Sequence, residues 1–175
     1  MKTRILLVLL SIAAALVLTA PVSAADNKQE KKHKNKYQNI EVSSFDVKDG
    51  INLPAEYVTN LKNELVSELQ HTKKFKQVLR DGESATETNA PSIKLIGTVT
   101  EYKPGSRAKR YFIGFGAGKT KIVAHIKFID RATREALFED DVDGKVIIGL
   151  FGGASKGATN GLAKEVAKVA KHQFF

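Results

Sequence analysis

Gly153-Ala154-Ser155-Lys156-Gly157 has the spacing of a nucleophile elbow, a strained strand-to-helix turn that exposes a serine hydroxyl for attack on a carbonyl. That chemistry needs an acid and then a histidine downstream. Only Glu165 and His172 follow, both on the same short helical stretch, so neither is expected to bend back to Ser155. A helix cap accounts for the serine equally well. Ser106-Arg107-Ala108-Lys109 has serine–lysine spacing, but the companion motifs of that chemistry are missing and the segment reads as a basic turn.

Gly114-Phe115-Gly116-Ala117-Gly118-Lys119-Thr120 resembles a phosphate loop, in which successive backbone amides curl around phosphates. Counted back from Gly-Lys-Thr, the first required glycine falls on Ile113. The segment also leads into a strand rather than a helix, so no nucleotide cofactor is expected. Asp140, Asp141 and Asp143 before Gly144 look like half a calcium loop, yet the closing glutamate position is Leu150. His33, His71, His125 and His172 lack paired metal spacing. With no cysteine anywhere, thiol catalysis, thiolate metal sites and disulfides are excluded. The reading is therefore of a non-enzymatic domain with no catalytic, cofactor or metal residues.

The elements that would position these residues follow from pattern. Lys2 and Arg4, the apolar run Ile5–Leu18 and the small residues of Pro21–Ala25 read as a secretory signal peptide, residues 1–25, cut after Ala25 or secondarily Ala24. The apolar run is too short to remain as an ordinary membrane span. Residues 26–36 hold five lysines and no apolar side chain, and read as a disordered spacer. The chain carries +9 in all. Losing Lys2 and Arg4 leaves a basic protein, whose natural partner outside the cytoplasm is an anionic envelope surface or an envelope protein rather than nucleic acid.

Residues 37–175 read as a single domain. Tyr37–Val47 is β-leaning, and Pro54 opens a helix with Tyr57, Val58, Leu61, Leu65, Val66 and Leu69 on one face. Phe75–Leu79 and Ser92–Tyr102 are strands separated by the acidic loop Asp81–Pro91. Lys119–Asp130 alternates with Ile122, Ala124, Ile126 and Phe128 inward, and Glu135–Ile148 returns as its hairpin partner. A final helix from Ser155 to about His172 presents Leu162, Val166, Val169 and Ala170. The order β-α-β-β-β-β-α predicts an α+β two-layer sandwich, a mixed and mostly antiparallel sheet with two helices on one face.

Two segments stand out as candidate interaction residues. Arg107, Lys109 and Arg110 form a basic cluster beside Phe112 and Phe115, and Leu150 and Phe151 lie in a second glycine-rich apolar run. Both flank the same hairpin and should meet at one end of the sheet. The preferred expectation is that they pack on each other beneath the helices; the alternative is an exposed apolar edge for a partner.

From Ile93 onward the chain resembles a bacterial exported family known as domain of unknown function 4410. The shared features are LIGTVTEY, the GFGAGK entry to a long strand, the Asp-Arg-Ala-Thr hairpin turn, GLFGG, and the closing helix with Leu162-Ala163-Lys164-Glu165-Val166. Arg134 stands where similar hairpins favour glycine. The resemblance implies a small α/β domain associated with the periplasm or envelope, and it brings no activity and no site residues. Some relatives carry a lipid on a cysteine, which this chain lacks. A periplasmic or secreted accessory domain is thus the leading expectation. An envelope hydrolase using Ser155 and a self-associating homo-oligomer are the alternatives.

Overall fold

The computed structural model describes residues 33–87, 89–105, 120–145 and 154–175. The proposed signal peptide and the first part of the lysine-rich spacer lie outside them. Among the described residues, six strands and two helices follow in the order β1 (Asn39–Val42), β2 (Asp46–Val47), α1 (Ala55–His71), β3 (Gln77–Arg80), β4 (Ser92–Lys103), β5 (Lys121–Asp130), β6 (Ala136–Lys145) and α2 (Ala154–Phe174). The strands form one mixed sheet ordered β3-β1-β4-β5-β6, with β2 beside β4. The α+β layout expected from the sequence is the one observed. The single β-leaning stretch of residues 37–47 becomes two strands, both parallel to β4.

Helix α1 begins directly after Pro54 and buries Tyr57, Leu61, Leu65, Val66 and Leu69, the stripe that a 3.6-residue period requires. Its end falls at His71 because Lys73 adopts a left-handed conformation (φ 53°) just beyond it. Strand β5 alternates without interruption, and Ile122, Ala124, Ile126 and Phe128 are fully enclosed. Helix α2 buries more than the expected stripe: Ala158, Leu162, Ala163, Val166, Ala167, Ala170 and Phe174 all face the core, whereas Val169 is only half-buried. Asn160 ties the helices together by donating from Nδ2 to Glu64 (2.5 Å) and Glu68 (3.3 Å) of α1.

Two glycines let layers approach. A Cβ on Gly97 would stand 2.5 Å from the Phe45 ring, and one on Gly144 would meet Leu162 Cβ at 2.7 Å and its backbone nitrogen at 2.9 Å. Phe45 fills the gap where β1 hands over to β2, and Leu162 brings α2 down onto the edge strand β6. Both contacts depend on the missing side chain.

Of the lysine-rich stretch, residues 33–36 form a turn that is fastened to the domain. Asn35 donates its amide to the Phe174 carbonyl at 2.7 Å. Tyr37 then enters the core, its hydroxyl donating to Asp130 Oδ2 at 2.8 Å. Asp130 closes the β5–β6 turn by accepting the amides of Ala132 and Thr133 at its other oxygen. Arg134 completes the turn at φ 64°, the left-handed position anticipated from the glycine preference of similar hairpins. We therefore expect Arg134→Gly to raise stability by about 0.5–1 kcal/mol, because relief of the left-handed strain exceeds the added freedom of the unfolded chain. A urea melt would read this as a higher midpoint, and an unchanged or lower midpoint would contradict it.

Candidate interaction surface

Because both helices pack on one side of the sheet, the other side has no described helix to cover it. Its two halves are covered differently. Around β1 and β3 the loop following β3 leans over the strands, with Gln77 and Thr86 exchanging hydrogen bonds at 2.6 and 3.1 Å. Beneath it Glu41 is almost wholly enclosed, its carboxylate 2.9 Å from Lys94 Nζ. Its second oxygen lies 2.8 Å from Arg131 Nε, an ionic contact without hydrogen-bond alignment. Lys94 also reaches Asp81 at 2.9 Å. The Glu41 and Asp81 carboxylates raise the pKa of Lys94, and in return Lys94 heads the contacts that lower that of Asp81. A buried carboxylate with two cations is a structural clamp between β1, β4 and the hairpin turn, since removing either cation would leave charge stranded.

The β4–β5–β6 half is open. There, charges cross from strand to strand: Lys121 to Glu101 (2.8 Å) and Asp143 (3.8 Å), His125 to Asp141 (3.0 Å), and Lys127 to Glu139 (2.7 Å). Lys103 and Lys121 together pull the Glu101 carboxyl down to about 2. Such exposed pairs each add little stability. What they do is pattern the face, with Ile96, Val123 and Ile129 half-buried between them. Among the described residues strand β6 pairs only with β5, and Glu139, Asp141 and Asp143 along it repel a like strand, a common way to protect a free edge.

The seven residues singled out in the sequence, Arg107, Lys109, Arg110, Phe112, Phe115, Leu150 and Phe151, lie outside the described residues. Their described flanks do come together as expected. Lys103 pairs with Lys121, and Lys121 with Lys145, at one end of the sheet. Gly105 donates its amide to the buried Thr120 hydroxyl at 3.1 Å. The glycine-rich segments 106–119 and 146–153 therefore depart from the same end. Thr120 leads into β5, so the phosphate-loop pattern has a strand where its chemistry needs a helix.

Ser155 falls within the first turn of α2 rather than one residue before it. The helix rise holds His172 about 25 Å from Ser155 and Glu165 about 15 Å from it, so these three residues assemble no triad. Asp140 and Asp141 are successive residues of a strand and so take opposite faces of the sheet, which undoes the calcium-loop pattern. Among the described residues no group of three or more His, Cys, Asp or Glu side chains converges on a common point for a metal. An open cleft of about 740 Å³ borders Lys36, Ser84, Asn89, Ser92 and Asp130, but its one enclosed charge, Asp130, is already satisfied by Tyr37 and the turn amides. No described helix is long and apolar enough to cross a membrane.

The profile of a family described as a domain of unknown function (DUF4410) matches residues 21–171. The chain belongs to this family. No curated protein sequence matches it. Among solved structures, the fold is similar to PelC from Paraburkholderia phytofirmans, crystallised as a dodecamer in two space groups. One of these structures superposes with TM-score 0.53 at 14% identity over 81% of this chain and 90% of PelC. The other gives 0.51 at 14%, covering 80% and 91%. A minor lipoprotein from Acinetobacter baumannii is more distant, with TM-score 0.33 and 11% identity over 77% and 92%. At these identities the likeness is one of fold. The DUF4410 match extends the resemblance seen from Ile93 onward across nearly the whole domain.

Proposed function

We propose that this DUF4410 domain is an exported component of the bacterial cell envelope that works by association rather than catalysis. Its contacts are made through the end of the sheet from which the aromatic, glycine-rich segments 106–119 and 146–153 leave. The observation that carries this reading is the shared departure point of those two segments, beside an open, charge-patterned sheet face. The export signal in residues 1–25 supplies the compartment.

The test is capture of partners from envelope extracts by the chain purified from secreting cells, with Phe115→Ser and Phe151→Ser as controls. Loss of a partner in either variant supports the surface, and retention of every partner by both refutes it. Ser155→Ala should leave capture unchanged. Full-length protein found in the cytosol with residues 1–25 intact would refute export. A second reading, self-association, is favoured by the PelC fold, since that protein is a dodecamer. Light scattering of the purified chain decides it: a clean monomer removes this reading.

A further inference from the structure

We infer that the end of the fold where both helices terminate is a docking surface for anionic phospholipid headgroups. The inference rests on the export reading for its biological setting but not for its physics. Six cations far apart in the sequence are gathered there by backbone and ring contacts. Lys34 adjoins Asn35, whose amide bonds the Phe174 carbonyl, and Lys171 accepts at its carbonyl from the Phe175 amide. Lys74 lies over the Phe175 ring at 5.8 Å, and Phe75 packs edge-on against the same ring at 5.1 Å. Lys76 bonds through its amide to Gln38, whose own amide bonds Pro91 beside the hairpin turn that carries Arg134. Lys73 follows the Thr72 cap of α1 in a left-handed conformation.

All six side chains (Lys34, Lys73, Lys74, Lys76, Lys171 and Arg134) are exposed, and none has a carboxylate partner among the described residues. The lysines of the open sheet face are different: Lys103, Lys121 and Lys127 are all paired. Helix dipoles explain cations at the ends of α1 and α2, which accounts for Lys73 and Lys171. They do not explain Lys34, Lys76 and Arg134, which lie outside both helices.

The chemistry of the patch selects a surface rather than a discrete anion. Its charges are almost all lysine ammoniums, flexible point charges without the fixed fork of a guanidinium. They come from separate elements and converge on no enclosed point. An extended sheet of headgroup phosphates rewards the number of lysines near it and asks for no such convergence.

Flotation of the chain purified from secreting cells with phosphatidylglycerol-containing vesicles, against phosphatidylcholine vesicles, tests the inference. At low salt the wild type should float with the anionic vesicles only, and added salt should release it. Lys73→Gln, Lys74→Gln and Lys76→Gln combined should weaken partition by about tenfold or more. Lys48→Gln, Lys62→Gln and Lys164→Gln combined remove the same charge elsewhere and should change partition by less than about twofold. Wild type that ignores anionic vesicles overturns the inference, as does an equal loss in both triple variants, which would reduce the effect to net charge. If the first triple variant fails to fold, Lys171→Gln and Arg134→Gln singly carry the same comparison. Vesicle binding by a chain found unprocessed in the cytosol would sink the export reading and leave this one standing.

Discussion

Phe174→Ala should lower the stability of the domain by about 3–5 kcal/mol, the range for deleting a fully enclosed phenyl ring. Phe174 is 1% exposed and sits between two other buried rings, with Tyr37 edge-on at 5.8 Å and Phe128 at 5.2 Å. Its backbone carbonyl also fastens the incoming chain at Asn35. The neighbouring Phe175→Ala should cost far less, about 1 kcal/mol, because that ring is only half-buried against Phe75. Urea denaturation of both variants makes the comparison. Equal midpoints would mean that the last turn of α2 does not close the core. For a domain with a total stability of about 5–15 kcal/mol, Phe174→Ala alone removes a large share of the margin.

Asp130→Ala should be the next most damaging change, costing about 2–4 kcal/mol, because it strips charged hydrogen bonds from four partners at once. The Tyr37 hydroxyl would be left buried without its acceptor, and the β5–β6 turn would lose the anchor of two amides. The acid response of the wild type has the matching signature. Burial works against the ionised Asp130, but the Tyr37 hydroxyl, the Thr133 and Ala132 amides and Lys36 outweigh it and hold the carboxyl at about 2. A depressed folded-state pKa gives stability that is fully present above the unfolded value near 4. It is lost as pH falls toward 2, by about 2 kcal/mol in total for this group. Asp130→Ala should therefore flatten the acid limb of a stability–pH profile. The exposed Glu139 and Asp81, whose pKa values are also lowered, should keep some slope. An acid limb unchanged by Asp130→Ala would show that the carboxylate is not held by these partners. Tyr37→Phe separates the hydroxyl from the ring: it should remove part of the acid dependence while keeping the aromatic packing.

The candidate site was only partly legible. The return of β6 alongside β5 was visible in the sequence as a strand following a tight turn. The gathering of Lys34, Lys73, Lys74, Lys76, Lys171 and Arg134 was not, because no window of sequence contains them together. Taken locally, Lys73 and Lys74 do no more than complement the dipole of the helix they follow. Glu41 gave no sign that it would be buried, since β-strand alternation puts it on the face opposite Ile40 and Val42, away from the helices. Its burial depends on the loop after β3 and on Arg131, elements that approach it only in the folded chain.

The amino-acid sequence by itself determined the elements: the stripe of α1, the alternation of β5, the hairpin turn with its strained Arg134, and the family these belong to. These are local properties, set by side-chain period and backbone stereochemistry within a few residues. Only the tertiary structure decided that β1 and β2 both run parallel to β4, that Phe174 closes the core against Tyr37, and that scattered lysines share one end. Those outcomes depend on strand register and on the packing of side chains from distant parts of the chain, which no local pattern encodes.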